Sequence, residues 1–421
     1  MGSTADRYDV VVVGAGAAGS AAAITAARRG ARTLLLDRLP FMGGTSTAVL
    51  DTFYAFYTPG PAPRRVVGGL GWEVARRLTA DGVAFERPNT YGAGTGITYD
   101  PESLKRVWDE LAAEAGVALL LHAFAFGVEA EEGRVGSVEI ATKSGVRRVR
   151  PRVVVDASGD ADICALAGAP YEAPGDDVQS LSTVFRVANV DVARAQAVPK
   201  EELWRLMREG RDSGRYALTR IEGSVHRTPH EGVMMALMTR VRRVDATDAD
   251  QLAAAEVEGR RQAHEYFRFL RESVPGYERA VLISTSPAIG VRESRRILGE
   301  HVLTADEILA ATQFRDQIAR CGAPIEEHHS GDDTRWVYLE EGATYGIPFR
   351  SLQPRALGNV LVAGRCFSAT HDAHASARSM GTCMAMGQAA GTAAALAEEP
   401  KRLAPEVLRA RLRDDGADVG G

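Results

Sequence analysis

Cysteine is scarce in this chain. Its four residues in 421, Cys164, Cys321, Cys366 and Cys383, are widely spaced and form no C-x-x-C pair. That excludes a disulfide framework and a dithiol redox centre, and it suits a reducing, cytoplasmic setting. An excess of one charge is also missing. The 50 Lys and Arg stand against 55 Asp and Glu for a net charge of −5, and the basic residues are scattered among acids, so neither nucleic acid nor a membrane surface is indicated as a partner. Beyond the first strand and helix, no apolar run reaches the ~18 residues of a membrane span. Met1–Asp6 reads as a short disordered leader. What remains is a 45% apolar chain long enough for two or three packed modules.

The stretch from Tyr8 to Asp37 organises the rest. Val10–Val13 is a β-branched run of the kind a parallel strand buried on both faces requires. Gly14, Gly16 and Gly19 follow at G-x-G-x-x-G spacing, enclosing Ala17 and Ala18, and an Ala-rich helix runs on to Arg29 before Gly30. Gly14 permits the turn, Gly16 leaves no Cβ between backbone and a pyrophosphate, and Gly19 lets helix and strand pack closely. A second strand, Leu34–Leu36, ends at Asp37 and Arg38, eighteen residues beyond Gly19, where a carboxylate reaches ribose hydroxyls. Strand, turn, helix and acid together predict a bound dinucleotide. A signal peptide is a poor reading, since the Arg pair follows the apolar run and three glycines break it.

Later segments repeat the theme. Gly43-Gly44-Thr45-Ser46 gives a pliant backbone and two hydroxyls directly after the acid. Val153-Val-Val-Asp156-Ala157-Ser158-Gly159-Asp160 is another strand emptying into a glycine turn. Val360-Leu-Val-Ala-Gly364-Arg365 is a third, leading through His371 and His374 into a small-residue helix whose N-terminus falls near Gly381, Thr382 and Cys383. Between them, Gly71–Asp81 and Pro101–Ala115 read as helices, Val117–Leu121 as a buried strand, and Phe124–Glu129, Val135–Thr142 and Val146–Arg150 as a meander. Gly92, Gly94 and Gly96 imitate a phosphate loop but lack an apolar strand before them, so they read as an ordinary loop. Ser180–Ile297 has a different texture, with helices over Lys200–Glu209 and Asp248–Ser273. It reads as an inserted module covering the ligand. Thr304–Arg320 reads as a helix opened by a Thr304/Glu307 capping box. The run Arg292-Glu293-Ser294-Arg295-Arg296 is either an ion-pair knot or a ligand contact. Phe53, Tyr57, Met234, Met235 and Met238 suggest an apolar pocket wall, with core packing the plainer use of each.

These motifs resemble the glutathione-reductase-like superfamily of FAD enzymes, and within it the FAD-dependent oxidoreductases related to succinate dehydrogenase and fumarate reductase flavoproteins. The resemblance implies an α/β fold. Residues 1–50, 100–182 and 340–400 would form a discontinuous Rossmann-like FAD-binding domain, 51–99 and 183–339 an inserted α+β substrate or cap domain, and 401–421 a C-terminal helix and tail. It further implies adenosine at Asp37, pyrophosphate at Gly14–Gly19, an adenine contact from the backbone near Ala125, and the isoalloxazine between Gly43–Ser46 and the final helix. Asp37 departs from the Glu more frequent in the family, and the fumarate reductase catalytic pattern is not recognisable.

The expected chemistry is hydride transfer from a small-molecule substrate to the flavin, as in a dehydrogenase or oxidase. His371 is the first choice of base and His374 the reserve; Arg292 and Arg378 are candidates to grip a carboxylate or polarise a carbonyl. Two alternatives stand beside it. One is an NAD(P)H-dependent flavin hydroxylase or reductase. The other is a zinc site built from Cys366, His371, His374 and Cys383, whose spacing matches no familiar one. Oligomeric state, electron acceptor and any covalent flavin link are left open by the sequence.

Overall fold

The computed structural model describes residues 6–89, 91–329, 331 and 334–421. The strand Asp6–Val13 lies at the centre of a seven-stranded sheet, parallel to Thr33–Leu36 on one side and to Gly145–Asp156 on the other. Its apolar half is sealed, with Val10, Val11 and Val12 at 0% exposure, as the β-branched run requires. Ala118–Leu120 extends the sheet beside Thr33–Leu36, and Val360–Val362 adds a further parallel strand beside Gly145–Asp156. An antiparallel meander, Phe124–Glu131 and Arg134–Thr142, completes it.

Register decides where the ligand edge lies. Val13 is paired with Leu36 and with Asp156, and Asp156 with Val362. Four parallel strands therefore end at one level, and the loops opening at Gly14, Asp37, Ala157 and Ala363 leave the same edge. A Rossmann-like sheet binds its ligands at this edge.

The helix Ala17–Arg28 packs along Met380–Leu396 with backbones nearly touching. A Cβ at Gly387 would lie 2.0 Å from the Ala18 carbonyl oxygen, and one at Gly391 2.1 Å from that of Ala22. The small-residue composition of both helices thus has a packing reason. Replacing Gly387 with valine is expected to destabilise the fold by at least ~1–3 kcal/mol through overpacking, read as a lowered midpoint in chemical denaturation; an unchanged midpoint would mean that the helices separate at little cost.

A second core surrounds Phe185, Met207, Met234, Tyr266 and Phe269. It lies between the helices Lys200–Asp212 and Ala249–Ser273 and an antiparallel sheet of Ser224–Arg227, Met234–Leu237, Phe185–Ala188 and Val281–Thr285. Asp248 caps the long helix by accepting from the Gln251 amide. Among the described residues no helix is long and apolar enough to cross a membrane.

Three local expectations are corrected. The capping box at Thr304 and Glu307 is present, but its helix spans only Ala305–Leu309. Ala311 then takes φ 51°, and Gln317–Cys321 forms a strand against Tyr345–Pro348; pairing outweighs local propensity there. Val117–Leu121 is a short edge strand, Ala118–Leu120, and not a buried one, with Leu119 39% exposed. Val146–Arg150 and Val153–Asp156 are one continuous strand through Pro151.

Candidate active site

A cavity opens at the shared strand edge. The first turn supplies Gly14, Gly16, Ala17 and Ala18 to its wall, and the second strand supplies Asp37 and Arg38. Gly14 has φ 95°, and a Cβ on it would lie 2.4 Å from the Ala157 carbonyl oxygen, so glycine is required by both backbone and space. Gly16 differs. A Cβ there meets no atom within 4 Å, because the space in front of it is cavity. The Gly43 amide donates to the Ala15 carbonyl at 2.7 Å, clamping the second glycine loop onto the first and bringing Gly43, Gly44 and Thr45 into the wall. Ser46 is turned inward instead, its hydroxyl donating to the Gly43 carbonyl. Gly19 lies under the turn against the Gly14 carbonyl.

Asp37 accepts from the amides of Ala15 at 2.5 Å and Leu39 at 2.7 Å. Burial raises its carboxyl above the usual range, and those amides oppose the shift. The cavity continues past it into a recess walled by Phe124, Ala125, Asp162 and Thr247.

The third turn, Ala157-Ser158-Gly159-Asp160, lines the middle of the cavity together with Gly364 and Arg365. Asp160 accepts from Arg365 at 2.9 Å and from the Ser294 hydroxyl at 2.6 Å. Burial alone would raise its carboxyl, but the Arg365 guanidinium and Ser294 hold it below the ordinary value. Arg295 binds the Asp160 carbonyl and pairs with Asp162, whose carboxyl is raised to about 6 by burial and by Asp156 and Asp160. The charged run at 292–296 is therefore largely an ion-pair knot. Glu293, at 0% exposure, pairs with Arg296 and His371 and accepts from the Gln179 amide.

Arg292 faces elsewhere. It joins Arg378, Arg87, Glu326, His328 and Tyr54 in the wall of the cavity's other end, where Ser379 and Met380 begin the final helix. Glu326 accepts from His328 Nε2 at 2.9 Å, and the Thr334 hydroxyl stands 3.3 Å from His328 Nδ1. Burial, reinforced by Arg292 and Arg220, holds His328 well below the usual imidazole range, so it is neutral with its proton on Nε2. Burial raises the Glu326 carboxyl, with Arg378 and Arg292 opposing. Its side chain is nonetheless 36% exposed, the accessible surface being that of the cavity.

The two expected histidines lie outside the lining. His374 is fully buried, its Nε2 donating to the Arg365 carbonyl at 2.7 Å and its ring stacked on Phe367; burial keeps it well below the usual range and hence neutral. His371 sits between Glu293 at 2.9 Å and Glu327 at 3.5 Å. The Glu293 hydrogen bond raises its pKa against the opposing effect of burial. A raised folded value means that His371 stabilises the fold fully below the unfolded pKa of ~6.5, with the benefit lost as pH rises through the folded value. His371→Asn is accordingly expected to narrow the stability difference between pH 5.5 and pH 8.5, measured by urea denaturation; an unaltered pH dependence would contradict the pairing.

Gly381 and Thr382 also face inward. Gly381 donates its amide to the Tyr54 carbonyl and abuts Phe56 and Val67, and Thr382 is fully buried. Cys383 reaches the lining as a thiol that burial pushes up to about 12. The four candidate zinc ligands do not gather. Among the described residues the one cluster of potential ligands is Glu327, His371 and Asp372, and Arg335 already pairs with both carboxylates. Phe53, Met234, Met235 and Met238 are core, and Tyr57 bonds Glu86. Arg87, Glu326 and His328 escaped sequence reading because they sit in no motif. The strand pair Ile325–Glu327 and Arg335–Val337 brings two of them to the cavity.

Residues 9–415 match the family described as FAD dependent oxidoreductase. The chain belongs to that family. It is an enzyme, and FAD is its cofactor. A digeranylgeranylglycerophospholipid reductase of Methanopyrus kandleri is 33% identical over 202 residues, 43% of this chain and 48% of that protein, so the match spans about half the length of that curated relative. A 3-oxosteroid 1-dehydrogenase of Mycolicibacterium smegmatis is 51% identical over 43 residues, 10% of this chain and 8% of that one. The fold is similar to that of a geranylgeranyl bacteriochlorophyll reductase-like protein from Thermoplasma acidophilum, with a TM-score of 0.50 at 16% identity over 97% of this chain and 83% of that one. The residues fit the cofactor: Gly16 leaves room at the turn, and the cavity extends both to Asp37 and to the start of the final helix.

Proposed function

We propose that this oxidoreductase is a dehydrogenase or oxidase, oxidising a small molecule held at the Arg292–Arg378 end of the cavity. The observation that supports it most is the continuity of one cavity from the Gly14–Gly16 turn to Glu326. In this reading the pyrophosphate lies over Gly14–Ala18 and Gly43–Thr45, the ribose at Asp37, and the adenine in the recess at Ala125. The nucleotide-binding domain is discontinuous and of glutathione-reductase type, and the module around the second core covers the substrate.

FAD, when bound, supplies the hydride acceptor. The substrate's proton must leave separately, and the protein has to receive it. His371 and His374 are turned away from the cavity, so the reading moves that role to Glu326. Neutral His328 orients the carboxylate by donating to one oxygen, and burial tunes it towards neutral pH. Ser379 and Met380 present the positive end of a seventeen-residue helix to the same region, favouring negative charge there. The four cysteines are all free thiols, which supports a reducing, cytoplasmic location.

The test is an anaerobic screen of small metabolites for bleaching of the bound flavin. Reduction by a substrate alone supports the reading, whereas bleaching by NADPH alone would sink it. The second outcome has its own support, since the curated relative from Methanopyrus kandleri is a reductase. With a substrate in hand, Glu326→Gln is expected to lower kcat by about 10²–10⁴-fold with FAD content unchanged; an undiminished kcat would remove Glu326 from the chemistry.

A further inference from the structure

Among the described residues, the cavity wall holds positive charge that no ion pair balances. Arg295 pairs with Asp162, Arg296 with Glu293 and Glu172, and Arg365 with Asp160. Arg292 and Arg378, from the same two segments of chain, are treated differently. Arg292 Nη1 donates to the Ser180 carbonyl at 2.6 Å and the Ser182 hydroxyl at 3.0 Å. Arg378 Nη2 donates to Gln179 Oε1 at 2.9 Å and, at 3.4 Å, to the Glu326 carbonyl. Every one of these acceptors is neutral. Among the described residues neither arginine forms an ion pair, and the protein engages one nitrogen of each guanidinium, with Arg378 Nε buried and unpartnered.

Arg220 stands behind them at 1% exposure, likewise without an ion pair among the described residues, its Nη2 reaching only the Tyr91 hydroxyl at 3.4 Å. Burial lowers the pKa of Arg292 well below its ordinary value, and Arg378 and Arg220 lower it further. Among the described residues Glu326 is the one carboxylate in this part of the wall, and it forms an ion pair with neither arginine there. Buried charges are normally paired, and an uncompensated one is strongly destabilising. A fold that pairs three neighbouring arginines and leaves two facing a cavity is arranged for an anion that arrives from outside.

The FAD phosphates are not that anion. In the proposed placement they lie over Gly14–Ala18 and Gly43–Thr45, whereas the groups that act electrostatically on Arg292 are Arg378, Arg220, Glu326 and Arg240. The shape of the site narrows the choice. Two guanidiniums present flat N–H forks, which match a planar carboxylate edge-on. Tyr54, Leu50 and Leu237 line the same cavity and accommodate an organic body.

We propose that Arg292 and Arg378 form a carboxylate-binding subsite, so that the substrate of this enzyme is a small organic acid whose carboxylate they hold while the carbon to be oxidised lies beside Glu326. The inference rests on the dehydrogenase reading for the fate of the substrate, but the binding it requires does not depend on turnover.

Calorimetric titration of the FAD-loaded full chain with benzoate, with benzamide as the neutral isostere, tests it directly. The expected result is one benzoate per chain, binding at least ten-fold tighter than benzamide, and a loss of ten-fold or more in benzoate affinity in Arg292→Gln and in Arg378→Gln. Benzoate binding no tighter than benzamide in the wild-type protein would overturn the proposal without recourse to any variant. So would wild-type affinity in both folded, FAD-loaded variants. If benzoate discriminates as expected while no organic acid bleaches the flavin anaerobically, the subsite stands and the dehydrogenase reading falls. If neutral alcohols or amines bleach it and benzoate does not bind, the reading stands and the subsite falls.

Discussion

Gly16→Val is expected to abolish high-affinity FAD binding while leaving the apoprotein as stable as wild type. Gly16 has φ −64° and ψ −178°, a backbone conformation open to any residue, and its missing Cβ would project into the cavity without meeting a protein atom. The protein therefore gives no reason for glycine at this position, and the reason must be the ligand. In the proposed placement, a branched side chain there would occupy the path of the pyrophosphate and separate it from the first-turn amides. We expect the FAD dissociation constant to rise at least about 100-fold, roughly 2.7 kcal/mol, with the apoprotein denaturation midpoint unchanged. Gly14→Val provides the contrast, since φ 95° and a contact of 2.4 Å to Ala157 make it a folding defect first. FAD titration of the two apoproteins, followed by quenching of flavin fluorescence, separates the cases. Wild-type affinity in Gly16→Val would contradict the placement of the dinucleotide.

The second large effect concerns the knot beneath the cavity. Glu293 is fully buried and neutralises Arg296, itself almost fully buried, while also holding His371. Glu293→Gln removes the charge and leaves the Arg296 guanidinium, among the described residues, with the half-exposed Glu172 at 3.1 Å as its ion-pair partner and the neutral Ala369 carbonyl at 3.0 Å. Breaking a buried pair on one side costs about 3–5 kcal/mol, and the pKa of His371 should fall as its chief support is lost. Urea denaturation at pH 7 reads the first effect. A loss below about 1 kcal/mol would show that the buried charge is compensated by other means.

The nucleotide-binding core was legible because its signals are local. A β-branched run, three glycines at fixed spacing and an acid at the end of the next strand need no knowledge of the rest of the chain, and Asp156–Asp160 and Gly364–Arg365 repeat that grammar. Even the small-residue helix announced its close packing, although it could not say that Gly381 would face Phe56 and only Ser379, Met380 and Cys383 the cavity. Local signals failed where long-range pairing decided the outcome. The Thr304 capping box starts a helix, but the chain leaves it at Ala310 to pair Gln317–Cys321 with Tyr345–Pro348. His371 and His374 read as attractive bases because they precede the cavity helix in sequence. A short helix, His371–Ala377, turns one towards Glu293 and seals the other against Phe367. Glu326 and His328 carry no motif, and a two-stranded ribbon delivers them to the cavity from a distant part of the chain.

In the proposed function a single extended ligand spans the strand edge from the Asp37 recess to the start of the final helix. Calorimetric titration of the apoprotein with FAD and, separately, with FMN tests that span most directly. One FAD per chain, binding at least about 100-fold tighter than FMN because the adenosine end would add contacts at Asp37 and Ala125 in the proposed placement, is the result expected. Equal affinity for FMN, or no binding of either flavin, would contradict it.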